Sequence, residues 1–489
     1  MTSLSPPDPA PSEPLASGRA STWPAVLAWV VIVTVTAVVA VGQSERKDAT
    51  QPAADDPLGY RVLELQAKYS VAAAAQTAAG GPALLAQLEP LDSGTVGQRL
   101  RFAVVAAELA GPEEGLRRLD RLDARMAEQD VDPSESQQDS ERMLRALFQN
   151  QLEPASSPVL TGAESARLVE SLGWFGQLAL APPADPDAPE RASVLTSATR
   201  LFWAFIGLLG GAVVAGVVGL GGLIILIVFA TLGFVRFGLR PASGPAGIYA
   251  ETFAIWFVLF FAGAILLPQV FAGLHLLAGT LATFAVSTIA LAWPVVRGRS
   301  WEEVRADIGL HAGRGVLAEI GWGVAAYAMT LPLVAVGIGI MLILVALTKG
   351  DGGLFGGGPD DFGGGGGAAH PILGLAGGSA FDAVMLLLVA SVAAPIVEET
   401  MFRGVLYRNL RAGTAWLGVA VSVALSALLV AFVFAVVHPQ GLVAVPVLGA
   451  LAVGFALTRE WRDSLIPSMV AHALNNGLVM TTLLVAFGG

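Results

Sequence analysis

The chain contains no cysteine, which excludes disulfides, thiolate metal sites and cysteine nucleophiles. Charge is scarce as well. Asp, Glu, Lys and Arg make up 14% of the 489 residues, against 54% for the hydrophobic types. Length alone would suggest about three soluble domains. Long apolar runs separated by short charged loops instead mark a polytopic membrane protein. No HExxH pattern is present, so a zincin-type metal site has no support. No strand-like alternation, intramembrane aspartate pair or serine motif paired with histidine is evident either. The net charge is −11, and its acidic excess is local: residues 45–200 hold 15 basic and 24 acidic residues. That balance argues against nucleic-acid binding, and the alternating signs fit a solvated helical surface.

Residues 1–22, rich in Pro, Ser and Ala, are expected to form a disordered tail. Residues 23–43 follow, with "WPAVLAWVVIVTVTAVVAVG" at their start, about one membrane span long. A cleaved signal peptide is the alternative. It would need a basic n-region and a small-x-small site, so an uncleaved anchor helix is the better reading. Residues 44–198 carry apolar positions at helical spacing, as in "VGQRLRFAVVAAELAG" and "PEEGLRRLDRLDARMAEQ". They are expected to form a soluble all-α domain of helical hairpins, resembling a tetratricopeptide array but without a clean repeat.

Membrane spans are expected at about 202–235, 248–267, 271–294, 316–347, 378–400, 414–437, 441–458 and 465–487. Glycines in the first, including Gly207 and Gly211 at GxxxG spacing, predict close helix packing or a break, leaving one span or two. Gly216, Gly219 and Gly221 superficially resemble a phosphate-binding fingerprint. They sit inside an apolar run with no preceding strand, so packing is the better reading. The run "GDGGLFGGGPDDFGGGGG" predicts a flexible linker on the outer face.

If 202–235 is one span, Arg236, Arg240, Arg297, Arg299, Arg305, Arg314, Arg403, Arg408, Arg411, Arg459 and Arg462 share one side with Arg19. Only Lys349 lies opposite. The positive-inside rule puts the arginines and the N-terminus in the cytoplasm and the acidic helical domain outside it.

Three late segments place polar residues in or beside apolar runs. "EETMFRG" gives Glu398, Glu399 and Arg403; "AFVFAVVHP" gives Phe434 and His438; "VAHALNNGL" gives His472 and Asn476. On an α-helix, positions four apart are offset by about 40° and five apart by about 140°. Glu399 therefore lies over Arg403 and can pair with it, while Glu398 points elsewhere. An unpaired carboxylate beside lipid is costly, so Glu398 is expected to face the bundle interior or water, a position that suits a general base. Taken singly, each motif reads as a helix-end anchor or an interhelical hydrogen-bonder. The other histidines, His275, His311 and His370, belong to no such set. Together, Glu and His could activate a water while a second His and an Asn stabilise an oxyanion. One conflict stands: as these spans are drawn, His438 ends its helix on the side opposite Glu398.

At these residues the chain resembles the CAAX protease and bacteriocin-processing (CPBP, or Abi) family of intramembrane proteases. Its hallmarks EExxxR, FxxxH and HxxxN read here, in order, as Glu398-Glu399-x-x-x-Arg403, Phe434-x-x-x-His438 and His472-x-x-x-Asn476. The resemblance covers about residues 199–489 and implies an all-α core of about eight membrane helices, following the anchor and the soluble domain. It implies an intramembrane endopeptidase in which Glu398 and His438 activate water, His472 and Asn476 form the oxyanion site, and Glu399, Arg403 and Phe434 support them. No cofactor is implied by the glutamate mechanism. The alternative is zinc on Glu398, His438 and His472. The implied setting is a bacterial inner or plasma membrane, with membrane lipid and a membrane-associated peptide or protein substrate as partners. The competing function is a non-catalytic scaffold or bacteriocin-immunity-type protein that binds a partner through the helical domain.

Overall fold

The computed structural model describes residues 23–45, 57–77, 80–92, 94–154, 159–183, 188–235, 238–239, 247–271, 276–348 and 380–487, and every regular element among them is helical. The expected tail, the glycine-rich linker, His275, His370, Arg19, Arg236, Arg240 and Lys349 lie outside the described residues.

The first helix, α1 (Trp23–Glu45), is apolar along its length. Seven amphipathic helices follow: α2 (Pro57–Gln76), α3 (Gly81–Leu88), α4 (Val96–Ala110), α5 (Pro112–Gln129), α6 (Glu135–Leu152), α7 (Gly162–Leu172) and α8 (Trp174–Leu180). Capping boxes at Thr95, Ser134 and Thr161 start α4, α6 and α7 by satisfying free backbone N–H groups. These helices bury one apolar core containing Leu63, Phe102, Phe148, Leu168 and Phe175. Arg118 reaches Glu89, Asp92 and Glu114 at 2.5, 2.8 and 2.7 Å, and its hydrogen bond holds the Glu89 carboxyl below its ordinary value.

Helix α9 (Pro189–Thr231) runs unbroken for 43 residues. Its first turns belong to that core through Val194, Ala198 and Phe202. Arg191 ties it down by pairing with Glu108 at 2.5 Å and donating to the Ala181 carbonyl at 2.8 Å. The remainder is apolar and exposes Val213, Val217, Ile224 and Ile227, as a lipid-facing surface does. The candidate break in 202–235 is therefore absent. Close packing does occur, at Gly219 as expected and not at the GxxxG pair. A Cβ on Gly219 would stand 1.9 Å from the Ala328 carbonyl oxygen, whereas Gly207 and Gly211 have nothing within 4 Å.

The membrane part continues with α10 (Ile248–Val270), α11 (Leu276–Ser287), α12 (Trp293–Val296), the short α13 (Trp301–Ile308) and α14 (Val316–Thr348). A long bent helix comes next, made of α15 (Ala380–Leu388), α16 (Ala394–Glu399) and α17 (Tyr407–Thr414). Two wide π-helical stretches, Val389–Ala393 and Thr400–Leu406, join these three pieces. Helices α18 (Val419–Val437), α19 (Val445–Arg462) and α20 (Ile466–Phe487) complete the chain. Among the described residues, eight helical runs are long and apolar enough to cross a membrane: 23–43, 189–231, 248–270, 277–296, 316–347, 380–417, 419–437 and 442–462. Helix α20 occupies the last expected span, and the side chains of its final three residues lie outside the described residues. The molecule is an all-α polytopic membrane protein.

A second apolar core joins α1, α10, α18 and the bent helix through Ile32, Phe253, Trp256, Phe402 and Phe434. At one end of the bundle the basic loops meet. Arg408 lies 3.5 Å from Asp307, Arg411 2.9 Å from Glu460 and Arg462 2.7 Å from Glu319, and the Gly238 N–H donates to the Glu460 carbonyl.

Two span boundaries move from their expected places. The helix thought to end near residue 400 continues to the turn before Gly418, and α18 then runs back for 19 residues. Glu399 and Val437 lie equally far in sequence from Gly418. The hairpin therefore brings His438 back beside Glu398 and removes the conflict in the sequence reading.

Candidate active site

Glu398 and Glu399 lie in the middle of the bent helix, between its two π-helical stretches. Such stretches widen the turn, free carbonyls from their usual donors and occur often at functional sites. Pro395 contributes, since it has no N–H to offer the preceding turn.

The two carboxylates have different surroundings. Glu399 Oε1 is 2.8 Å from Arg403 Nη1, and both side chains are fully buried. The same oxygen accepts from His472 Nδ1 at 2.9 Å. Arg403 also donates to the Ala452 carbonyl at 3.2 Å and sits over the rings of Phe434 and Phe455, 4.6 and 5.3 Å from their centroids. This cation therefore has a carboxylate, a carbonyl and two aromatic faces to offset its burial.

Glu398 points the other way. Its Oε2 lies 3.7 Å from His438 Nε2 and 3.8 Å from His472 Nε2. Its side chain is 14% exposed and that of His438 is 17% exposed, against 0% for Glu399 and Arg403. The first pair is thus partly exposed and the second is sealed.

Partners on the far side of each ring fix its orientation. His438 Nδ1 is 2.5 Å from the Phe434 carbonyl, which can only accept, so Nδ1 carries the proton. His472 Nδ1 donates to the Arg403-paired Glu399. Both rings consequently turn Nε2 toward Glu398. Phe434 packs against His438 at 4.0 Å between centroids, and Phe455 stacks on His472 at 5.3 Å.

The structure thus brings Glu398, Glu399, Arg403, Phe434, His438 and His472 into one cluster. Asn476 is tied to its edge. Its Nδ2 donates to the Ala390 carbonyl at 2.9 Å, inside the first π-helical stretch, and its Oδ1 accepts from Asn475. Two neighbours were not foreseen. Phe455 gave no signal, being one aromatic among many. Gln43, near the end of α1, donates to the Val436 and His438 carbonyls. Its only signal was its place at the end of an apolar run. In the zinc alternative Glu398, His438 and His472 would hold the ion; among the described residues no group of three or more His, Asp or Glu side chains is arranged to do so.

Residues 380–478 match the family model described as type II CAAX prenyl endopeptidase Rce1-like. The likeness to the CAAX protease family is confined to this segment. It contains all three motifs and every residue of the cluster except Gln43, and is shorter than the resemblance read from about residue 199. No curated protein and no solved structure matches the chain. The family supports a CAAX-type membrane protease and, with the apolar helices, a multi-pass integral membrane protein.

Proposed function

We propose that the chain is an intramembrane endopeptidase that hydrolyses peptide bonds with a water held by Glu398 and His438, without a metal. The observation that carries this reading is the approach of two imidazole Nε2 atoms to one partly accessible carboxylate oxygen. At 3.7 and 3.8 Å these contacts exceed a direct hydrogen bond, and a single water can touch all three groups.

Glu398 takes a proton from that water as its oxygen attacks the scissile carbonyl carbon. His438 orients the water through Nε2. The carbonyl oxygen gains the charge, and His472 in its doubly protonated form donates to it from Nε2, with Glu399 holding the other N–H. Asn476 spends one N–H on Ala390 and offers the second to the same oxyanion. The proton on Glu398 then passes to the leaving amine as the C–N bond breaks. Glu399, Arg403 and Phe434 position the set.

The substrate is a membrane-associated peptide or protein that presents its backbone to this cluster. The test uses full-length protein in proteoliposomes with two quenched fluorescent probes, a farnesylated peptide ending in a CAAX sequence and an unprenylated membrane-spanning peptide. Wild type should cleave at least one. Glu398→Gln should slow cleavage about 10²- to 10⁴-fold, the range for a lost general base, while the protein still inserts. Unchanged cleavage by Glu398→Gln, or no cleavage of either probe by wild type, would count against the reading.

A further inference from the structure

Helix α18 ends at "VVHPQG", and Pro439 has no N–H with which to close the last turn. Some of its terminal carbonyls are instead satisfied by side chains. His438 Nδ1 takes the Phe434 carbonyl. The other donor comes from outside the matched family segment. Gln43 of α1 gives both hydrogens of its amide nitrogen, one to the Val436 carbonyl at 2.9 Å and one to the His438 carbonyl at 2.8 Å. Carbonyls can only accept, so the nitrogen assignment at Gln43 follows from its partners. His438 has extended backbone, φ −76° and ψ 140°, as a residue before proline does. The two bonds thus straddle the point where α18 stops, and clamp the backbone that carries the ring.

Helix α1 is itself held in place. Ala28 and Ile32 are buried in the same core as Phe253, Trp256 and Phe434. Gln43 therefore reaches His438 from a packed element.

We infer that Gln43 is a positioning residue for His438, and that the N-terminal helix is a working part of the protease. The inference rests on the reading of His438 as a water-orienting group, but the contact can be tested without it. Full-length protein with ¹⁵N-labelled histidine is placed in lipid nanodiscs, and the His438 ring signals are identified by their loss in His438→Ala. Gln43→Met keeps the length of the side chain and removes both donors. It should move or broaden the His438 signals and leave those of His472 in place. Gln43→Lys, which restores donors beside a helix C-terminus, should return them. With whichever probe wild type cleaves, Gln43→Met should lower kcat about ten- to a hundredfold, as small misplacements of reacting groups do, with KM nearly unchanged.

Unmoved His438 signals in Gln43→Met would overturn the inference. So would equal displacement of both histidines together with a lower melting temperature, which would make Gln43 a general packing residue. If Glu398→Gln still cleaves while Gln43→Met moves only His438, the clamp stands and the catalytic reading falls.

Discussion

Adjacent carboxylates in this chain meet unlike surroundings, because successive helical residues point about 100° apart. Glu399 offsets a buried guanidinium and orients a histidine. Glu398 has no cation beside it that is always charged. Their substitutions should separate accordingly. Glu399→Gln leaves Arg403 buried without its counter-charge and is expected to cost about 3–5 kcal/mol, seen as a lower melting temperature in detergent. Glu398→Gln should melt within about a degree or two of wild type while losing cleavage. Equal melting of both variants would refute the division. The Glu399–Arg403 pair was legible from spacing alone, although the backbone from Thr400 onward is wider than an α-helix. The bond from His472 to Glu399 was not, because nothing local in either segment specifies a partner some seventy positions away.

Helices show why the boundaries were harder to read than the residues. A count of apolar positions stops at Glu398, since two carboxylates and an arginine look like a membrane edge. Once Glu399 and Arg403 neutralise each other inside the bundle, the helix can continue, and it does so to Thr414. Hydropathy cannot register that cancellation. Glycine spacing misled in a similar way. The Gly207/Gly211 pair fits a packing motif but faces open space, while Gly219 meets α14 backbone to backbone. Gly219→Val should therefore overpack that contact and destabilise by about 1–3 kcal/mol. Gly211→Ala should be neutral or slightly stabilising, because alanine suits a helix interior better. Thermal unfolding of the two variants in detergent checks both, and reversed effects would show that α9 packs through its other face.

At the scale of the whole molecule, the absence of cysteine provides a clean background for mapping sidedness. The basic loops gather at one end of the bundle, and the charge rule assigns that end to the cytoplasm. Cysteines introduced singly at exposed Glu153, in the helical domain, and exposed Glu302, in a basic loop, can be probed with a membrane-impermeant maleimide on intact cells. Glu153→Cys should react directly and Glu302→Cys only after permeabilisation. The reverse pattern would invert the assignment. The all-α character and the polar late segments were readable because helical periodicity and isolated charges are local signals. How the helical domain joins the bundle was not, because the expected domain boundary at residue 198 falls inside one helix.

That helix has a mechanical consequence. At 1.5 Å and about 100° per residue, the 43 residues of α9 form a rod about 65 Å long. It is gripped at one end by Arg191 and Phe202 and along its length by the close approach of Gly219 to Ala328. Orientation is then a matter of phase. One residue inserted between the two grips would swing the helical domain about a quarter turn around the rod, against the second tether through α1 and Gln43. Four would nearly restore its bearing while lifting it about 6 Å.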